Sequence, residues 1–124
     1  MGHVSEIDAK TEALVPAWVT LPDIAEILGV DILKVRAQLK ERKFLAVRRG
    51  EHRALQVPAD FFQDGNIVKG LVGTLTLLAD SGFTDEESLE WMFTPDDTLP
   101  GTPVQALQEN RMTEVRRRAQ ALAI

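Results

Sequence analysis

The chain has 124 residues, 44% of them hydrophobic and 27% charged, the balance of one soluble globular domain, with a formal net charge of −5. The absence of cysteine excludes disulfides, thiolate metal sites and cysteine nucleophiles together. No apolar run approaches the roughly 18 residues of a membrane span. The opening MGHVSEIDAK lacks the apolar stretch of a secretory signal, so a cytoplasmic protein is expected.

The acidic average hides a dipole. Between Asp31 and Gln56, eight basic residues stand against Asp31, Glu41 and Glu51, a local charge of +5, which leaves −10 for the remainder. Positive charge gathered in so short a stretch points to a polyanionic partner that the net charge alone would argue against.

Residues 1–17 alternate small, acidic and apolar side chains without a clear period, and they read as a flexible N-terminal tail closed by Pro16. Ser5 and Thr11 lie among acidic residues and are candidate phosphate acceptors, a plain solvated tail being the simpler reading. Beyond the tail the signals sharpen. Thr20 is a good helix N-cap, Pro22 suits a first turn, and Ile24, Ile27 and Leu28 recur at helical spacing until Gly29. Asp31 caps a second helix with Ile32, Val35 and Leu39 on its apolar side. Ala25, Gly29 and Val35 then supply a small residue at the helix crossing, a turn residue that tolerates positive φ, and a branched contact, so a helix-turn-helix is predicted. The outward face of the second helix would present Leu33, Lys34, Arg36, Ala37 and Lys40, with Arg42 and Lys43 just beyond. From that face Arg36 is expected to affect sequence preference more than overall affinity.

Two extended runs follow, Phe44 to Arg48 and Ala54 to Val57, separated by a basic, glycine-containing tip. This hairpin is a wing carrying Arg48, Arg49, His52 and Arg53. Pro58 ends the second strand and opens a helical turn at residues 59–62, with Gly65 after it. The remainder is helical. A broad apolar stripe predicts a central helix from Ile67 to Ala79, with Gly70 and Gly73 inside it for close packing. Thr84 and Glu87 form a capping box for a helix ending at Phe93, Thr102 caps Pro103 to Gln108, and a last helix spans about Thr113 to Leu122. Arg116, Arg117 and Arg118 read as a solvated face near a helix C-terminus, with a second phosphate contact as the alternative.

The predicted fold is therefore mostly α with a small β-hairpin: a winged helix-turn-helix over 18–65, then a C-terminal helical extension, 66–124, packed on it as one domain. A helix of this size fits the major groove, and the wing can lie along the backbone. Double-stranded DNA is the expected partner, and Lys34, Arg36, Lys40, Arg42, Lys43, Arg48, Arg49, His52 and Arg53 are the candidate contacts. One wing covers little surface, so tight sequence-specific binding would imply two copies on DNA, a homodimer of function if not of solution.

The stretch WVTLPDIAEILGVDILKVRAQLKERKFLAVRRGEHRALQVPADFF resembles the MerR and excisionase-like winged helix-turn-helix family. From about Trp18 to the C-terminus the chain resembles, more closely, a family of small actinobacterial winged-helix DNA-binding proteins. That likeness runs through VPADFF, IVKGLVGTLTLLADSGF, EWMFTPDDTL and VRRRAQALA in this order. It implies a DNA-binding protein, a transcriptional regulator or nucleoid-associated factor, with Lys34, Arg36 and Arg48 to Arg53 at helix and wing positions. A second resemblance covers the C-terminal third. Trp91, Thr94-Pro95, Leu99, Thr102-Pro103, Leu107 and Val115 fall in the order of the toxin-binding domain of Xre/MbcA/ParS-type antitoxins, although the helix-turn-helix here is winged and that family's terminal glycine is missing. It implies a protein partner for the C-terminal helices. The bland alternative makes Trp91, Phe93, Leu99 and Leu107 core residues and Thr94-Pro95 a helix stop.

Enzyme readings find little support. His3 and His52 are the two histidines, and neither sits in a triad or metal-ligand spacing. The acidic pairs at 85–87 and 96–97 suit helix starts and turns, and no phosphate-binding or dinucleotide loop occurs. No catalytic residue, cofactor or metal is expected.

Overall fold

The computed structural model describes residues 8–122. Helix α1 (Ala9–Leu14) leads into strand β1 (Trp18–Thr20), helices α2 (Leu21–Leu28) and α3 (Ile32–Lys40), and strands β2 (Val47–Arg49) and β3 (Ala54–Pro58). A single turn of 3-10 helix (Ala59–Phe61) precedes a two-stranded ribbon, β4 (Phe62–Gln63) and β5 (Asn66–Ile67). Four helices complete the chain: α4 (Leu71–Asp80), α5 (Asp85–Phe93), α6 (Pro103–Gln108) and α7 (Met112–Ala121). None of the helices among the described residues is long and apolar enough to cross a membrane.

Local chemistry sets the helix pair. Thr20 and Asp23 form a reciprocal capping box at the start of α2, and Gly29 ends it at φ +67°. Asp31 Oδ1 accepts the Lys34 N–H at 2.9 Å to start α3. That helix ends on a left-handed residue, Arg42 at φ +59°, after which the Lys43 N–H bonds back to the Gln38 carbonyl at 3.0 Å. Ile24 and Val35 are fully buried, Ala25 is half-buried, and Gly29 takes the left-handed turn conformation.

The wing strands belong to a three-stranded antiparallel sheet in the order β1-β3-β2. Val47, Arg48 and Arg49 pair with Gln56, Leu55 and Ala54, while Val19 pairs with Val57 on the other edge of β3. Three sequence-based boundaries shift here. Residues 8–15 are ordered and not part of a tail, because Asp8 caps α1 and the face made by Thr11 and Val15 is buried. Thr11 is thereby fully enclosed, while Ser5 lies outside the described residues. The first wing strand begins at Val47 and not at Phe44, since Phe44, Leu45 and Ala46 are buried in the core before pairing begins.

The third shift is in the central helix. Ile67 pairs with Phe62 in the ribbon, around an Asp64-Gly65 turn with positive φ at both residues, and α4 starts only at Leu71. Gly70 is its N-cap at φ +88°, and a Cβ there would stand 2.8 Å from Met112 Cβ. Close packing is thus its role, but at the mouth of the helix and against α7.

The buried residues form one continuous core from Val15 to Ala119. Phe44 meets Phe62 edge-on with ring centroids 5.5 Å apart, and Phe61 meets Phe93 at 5.7 Å, which joins the winged half to the C-terminal helices. Gln108 Nε2 donates to the Asp60 carbonyl at 2.9 Å and Gln63 Nε2 to the Gln108 carbonyl at 3.2 Å across the same junction. Phe93, Leu99 and Leu107 are core residues, and Trp91 is half-buried against the core.

Candidate nucleic-acid interface

Helix α3 buries Val35 and turns Leu33, Lys34, Arg36, Ala37 and Lys40 to solvent, the face expected from the sequence. Beside it, β2 and β3 project the wing. Its tip, residues 50–53, reverses through Gly50 at φ +78° and Arg53 at φ +50°, closed by the Arg53 N–H to Gly50 carbonyl bond of 3.1 Å. His52 and Arg53 are exposed at this tip. Arg48 Nη1 donates to the Arg53 carbonyl at 3.0 Å, which braces the loop from its own strand.

Arg36 of α3 and Arg48 of β2 line one open groove of about 400 Å³ together with Thr20, Leu21, Pro22, Ala54 and Leu55. Helix and wing therefore each contribute one arginine to the lining of the same open groove. Both side chains are exposed, so little desolvation opposes their charge.

The remaining cations divide. Lys34 and Lys40 stand exposed on α3. Arg42 Nη2 pairs with Asp85 Oδ1 of α5 at 2.8 Å, and Lys43 Nζ lies 3.6 Å from Glu41 Oε1. Both pairs are largely solvated and hold their partners weakly. Arg49 is different. Its Nε donates to Glu12 Oε2 at 2.9 Å, its Nη1 to Gln56 Oε1 at 2.8 Å, and its guanidinium lies 4.5 Å from the centre of the Trp18 ring. The structure does not bring Arg49 to the groove; it packs on the opposite side of the sheet from Arg48. Neighbouring residues of a strand point to opposite faces, so the period of two in β2 already separates this pair. Glu12, Trp18 and Gln56, the residues that hold Arg49, were not among those the sequence singled out.

The C-terminal arginines lie apart from the wing's chemistry. Arg118 Nε donates to Thr98 Oγ1 at 2.7 Å and its Nη1 to the Glu114 carbonyl at 3.2 Å, so it staples α7 to the loop before α6. Arg116 and Arg117 are exposed on α7. Arg111 bonds the Glu114 carboxylate and holds it below the usual glutamate range, and hydrogen bonds from Thr98 do the same for Asp96. These shifts serve turns and helix ends of the C-terminal half.

A helix-turn-helix followed by a paired β-hairpin, with both presenting cations to one groove, defines a winged helix-turn-helix protein, here extended by four helices on a shared core. Comparison with known proteins is specific. The winged helix-turn-helix domain of the DNA-binding protein Rv2175c matches residues 6–62, and the Rv2175c C-terminal domain of unknown function matches residues 68–123. The DNA-binding protein Rv2175c of Mycobacterium tuberculosis (strain ATCC 25618 / H37Rv) is 41% identical over 138 residues, spanning 99% of this chain and 93% of that protein. The NMR structure of Rv2175c has the same fold, with a TM-score of 0.81 at 38% identity over 99% of this chain and 91% of that one. The chain belongs to the Rv2175c family.

Proposed function

We propose that this protein binds duplex DNA through α3 and the wing, and acts as a transcriptional regulator or nucleoid-associated factor. The observation that carries this reading is the convergence of Arg36 and Arg48 on one groove between recognition helix and wing. Helix α3 enters the major groove, and the phosphate strand beside it runs between the two guanidinium groups. That position favours a backbone contact for Arg36 over the base-reading role expected from the sequence. Lys34, Lys40, Arg53 and His52 extend the contact along α3 and the wing tip. Arg42 and Lys43 sit at its margin, each sharing its charge with a carboxylate. Arg49 acts indirectly, by fixing the wing's base.

The negative remainder confines the duplex to this face by repulsion. The relative's name, DNA-binding protein Rv2175c, supports the reading, as does the match of residues 6–62 to the winged helix-turn-helix domain of that protein. A partner on the C-terminal helices is the weaker reading, because Leu99, Leu107 and Val115, which carried the antitoxin likeness, are committed to the core.

Amide chemical shifts of labelled protein, titrated with a duplex of arbitrary sequence, test the assignment. Changes concentrated on residues 33–40 and 48–53 are expected. Changes confined to α5–α7 would move the binding surface to the C-terminal half.

A further inference from the structure

The outward face of α3 is not cationic at its centre. Successive residues of an α-helix are rotated by about 100°, which puts Leu33 and Ala37 each about 20° from the direction opposite the buried Val35. Lys34 falls to one side of this line, and Lys40 and Arg36 fall to the other. Leu33 is 73% exposed, the most exposed large hydrophobic residue of the described chain, and it lies in the first turn of α3. No packing within the fold accounts for it. The face therefore carries an apolar ridge between flanks of positive charge.

We propose that Leu33 packs on the C5-methyl group of a thymine in the major groove and is a specificity-determining residue of this protein. The inference rests on the duplex-binding reading above and adds to it the base that is read. The ligand of such a face must offer an apolar group between two lines of negative charge, and duplex DNA offers one, the thymine methyl on the groove floor between its phosphate strands. The first turn of a recognition helix is the part that reaches base edges. Ala37, one turn further on, is short enough to let the helix lie close to the same floor.

Selection from a randomised duplex library with the wild type and with Leu33→Ala tests this. Position 33 is exposed and alanine favours helix, so the variant folds. The wild type is expected to enrich a thymine at a fixed place in the selected site, and Leu33→Ala is expected to lose that preference. Replacing this thymine by deoxyuridine removes only the methyl group. It should weaken wild-type binding about fourfold, the effect of one buried methyl, and leave Leu33→Ala unchanged. Retention of the same thymine by Leu33→Ala, or indifference of the wild type to deoxyuridine, would overturn the proposal while leaving duplex binding intact. Loss of self-association in Leu33→Ala, with base preference unchanged, would assign Leu33 to a contact between copies instead. Absence of binding to any duplex would overturn both this proposal and the reading beneath it.

Discussion

Arg49 Nε lies 2.9 Å from Glu12 Oε2, which fastens the base of the wing to the N-terminal helix. The Asp8 N–H at the head of that helix in turn donates to Glu86 Oε1 of α5 at 2.6 Å. The wing is thus braced from the C-terminal half by way of α1, and the two adjacent arginines of β2 have separate duties: Arg48 faces the groove, and Arg49 faces the brace.

The division predicts different outcomes for the two alanine variants. Arg48→Ala lowers affinity for every duplex and reduces the slope of log affinity against log salt by about one. Arg49→Ala leaves that slope unchanged and destabilises the fold by about 1 kcal/mol, from a cation–π contact and a partly screened ion pair. Salt titrations and thermal melts of both variants provide the check, and an equal loss of slope in both would remove the distinction.

Gly70 and Gly73 predict opposite signs for the same substitution. Gly70→Ala places a Cβ against Met112 and Leu107 on a backbone at φ +88°, and should cost about 1–3 kcal/mol. Gly73 lies inside α4, where the nearest atom to a new Cβ is the mobile Arg116 Nη2 at 3.6 Å, so Gly73→Ala should stabilise by about 0.5–1 kcal/mol. Urea denaturation separates the two cases.

Ser88 Oγ is buried in α5 and has no hydrogen-bond partner among the described residues. Ser88→Ala removes the unsatisfied hydroxyl and improves helix propensity together, so a gain of about 1 kcal/mol is expected. A loss of similar size in the same denaturation experiment would place a bonded group there.

Acid should weaken the contact between Arg111 and Glu114 at the start of α7. Glu114 is held below its usual range by the hydrogen bond from Arg111, so the folded chain binds that proton less readily than the unfolded one. Its contribution is present above the ordinary glutamate value of 4.5 and is lost as the pH falls through the lowered folded value. Glu114→Gln is therefore expected to flatten the fall in stability as the pH drops below the ordinary glutamate value of 4.5, measured by denaturant midpoints.

The helix pair and wing were legible because their signals are local: caps at Thr20 and Asp31, a turn glycine at Gly29, and charge clustered in a single stretch. What escaped depended on the partner. The face formed by Thr11, Leu14 and Val15 is a helical stripe with an Asp8 cap, but it is one turn and a half long, too short to stand out until α5 covers it. Strand β1 has three residues and exists because β3 offers it an edge. The end of α3 gave no glycine to mark it, since Arg42 takes the left-handed position. Within the candidate interface the cations were identifiable by composition, whereas their sorting into groove, margin and brace needed the sheet's alternation and the position of Glu12 and Trp18.

The most direct test of the account is fluorescence anisotropy of a labelled duplex of arbitrary sequence, titrated with the wild-type protein at about 50 and about 200 mM salt. Several phosphate contacts along α3 and the wing predict binding at the lower salt that falls tenfold or more, as an order of magnitude, at the higher. An affinity indifferent to salt, or no binding at the lower concentration, would contradict the assignment of this groove to the DNA backbone.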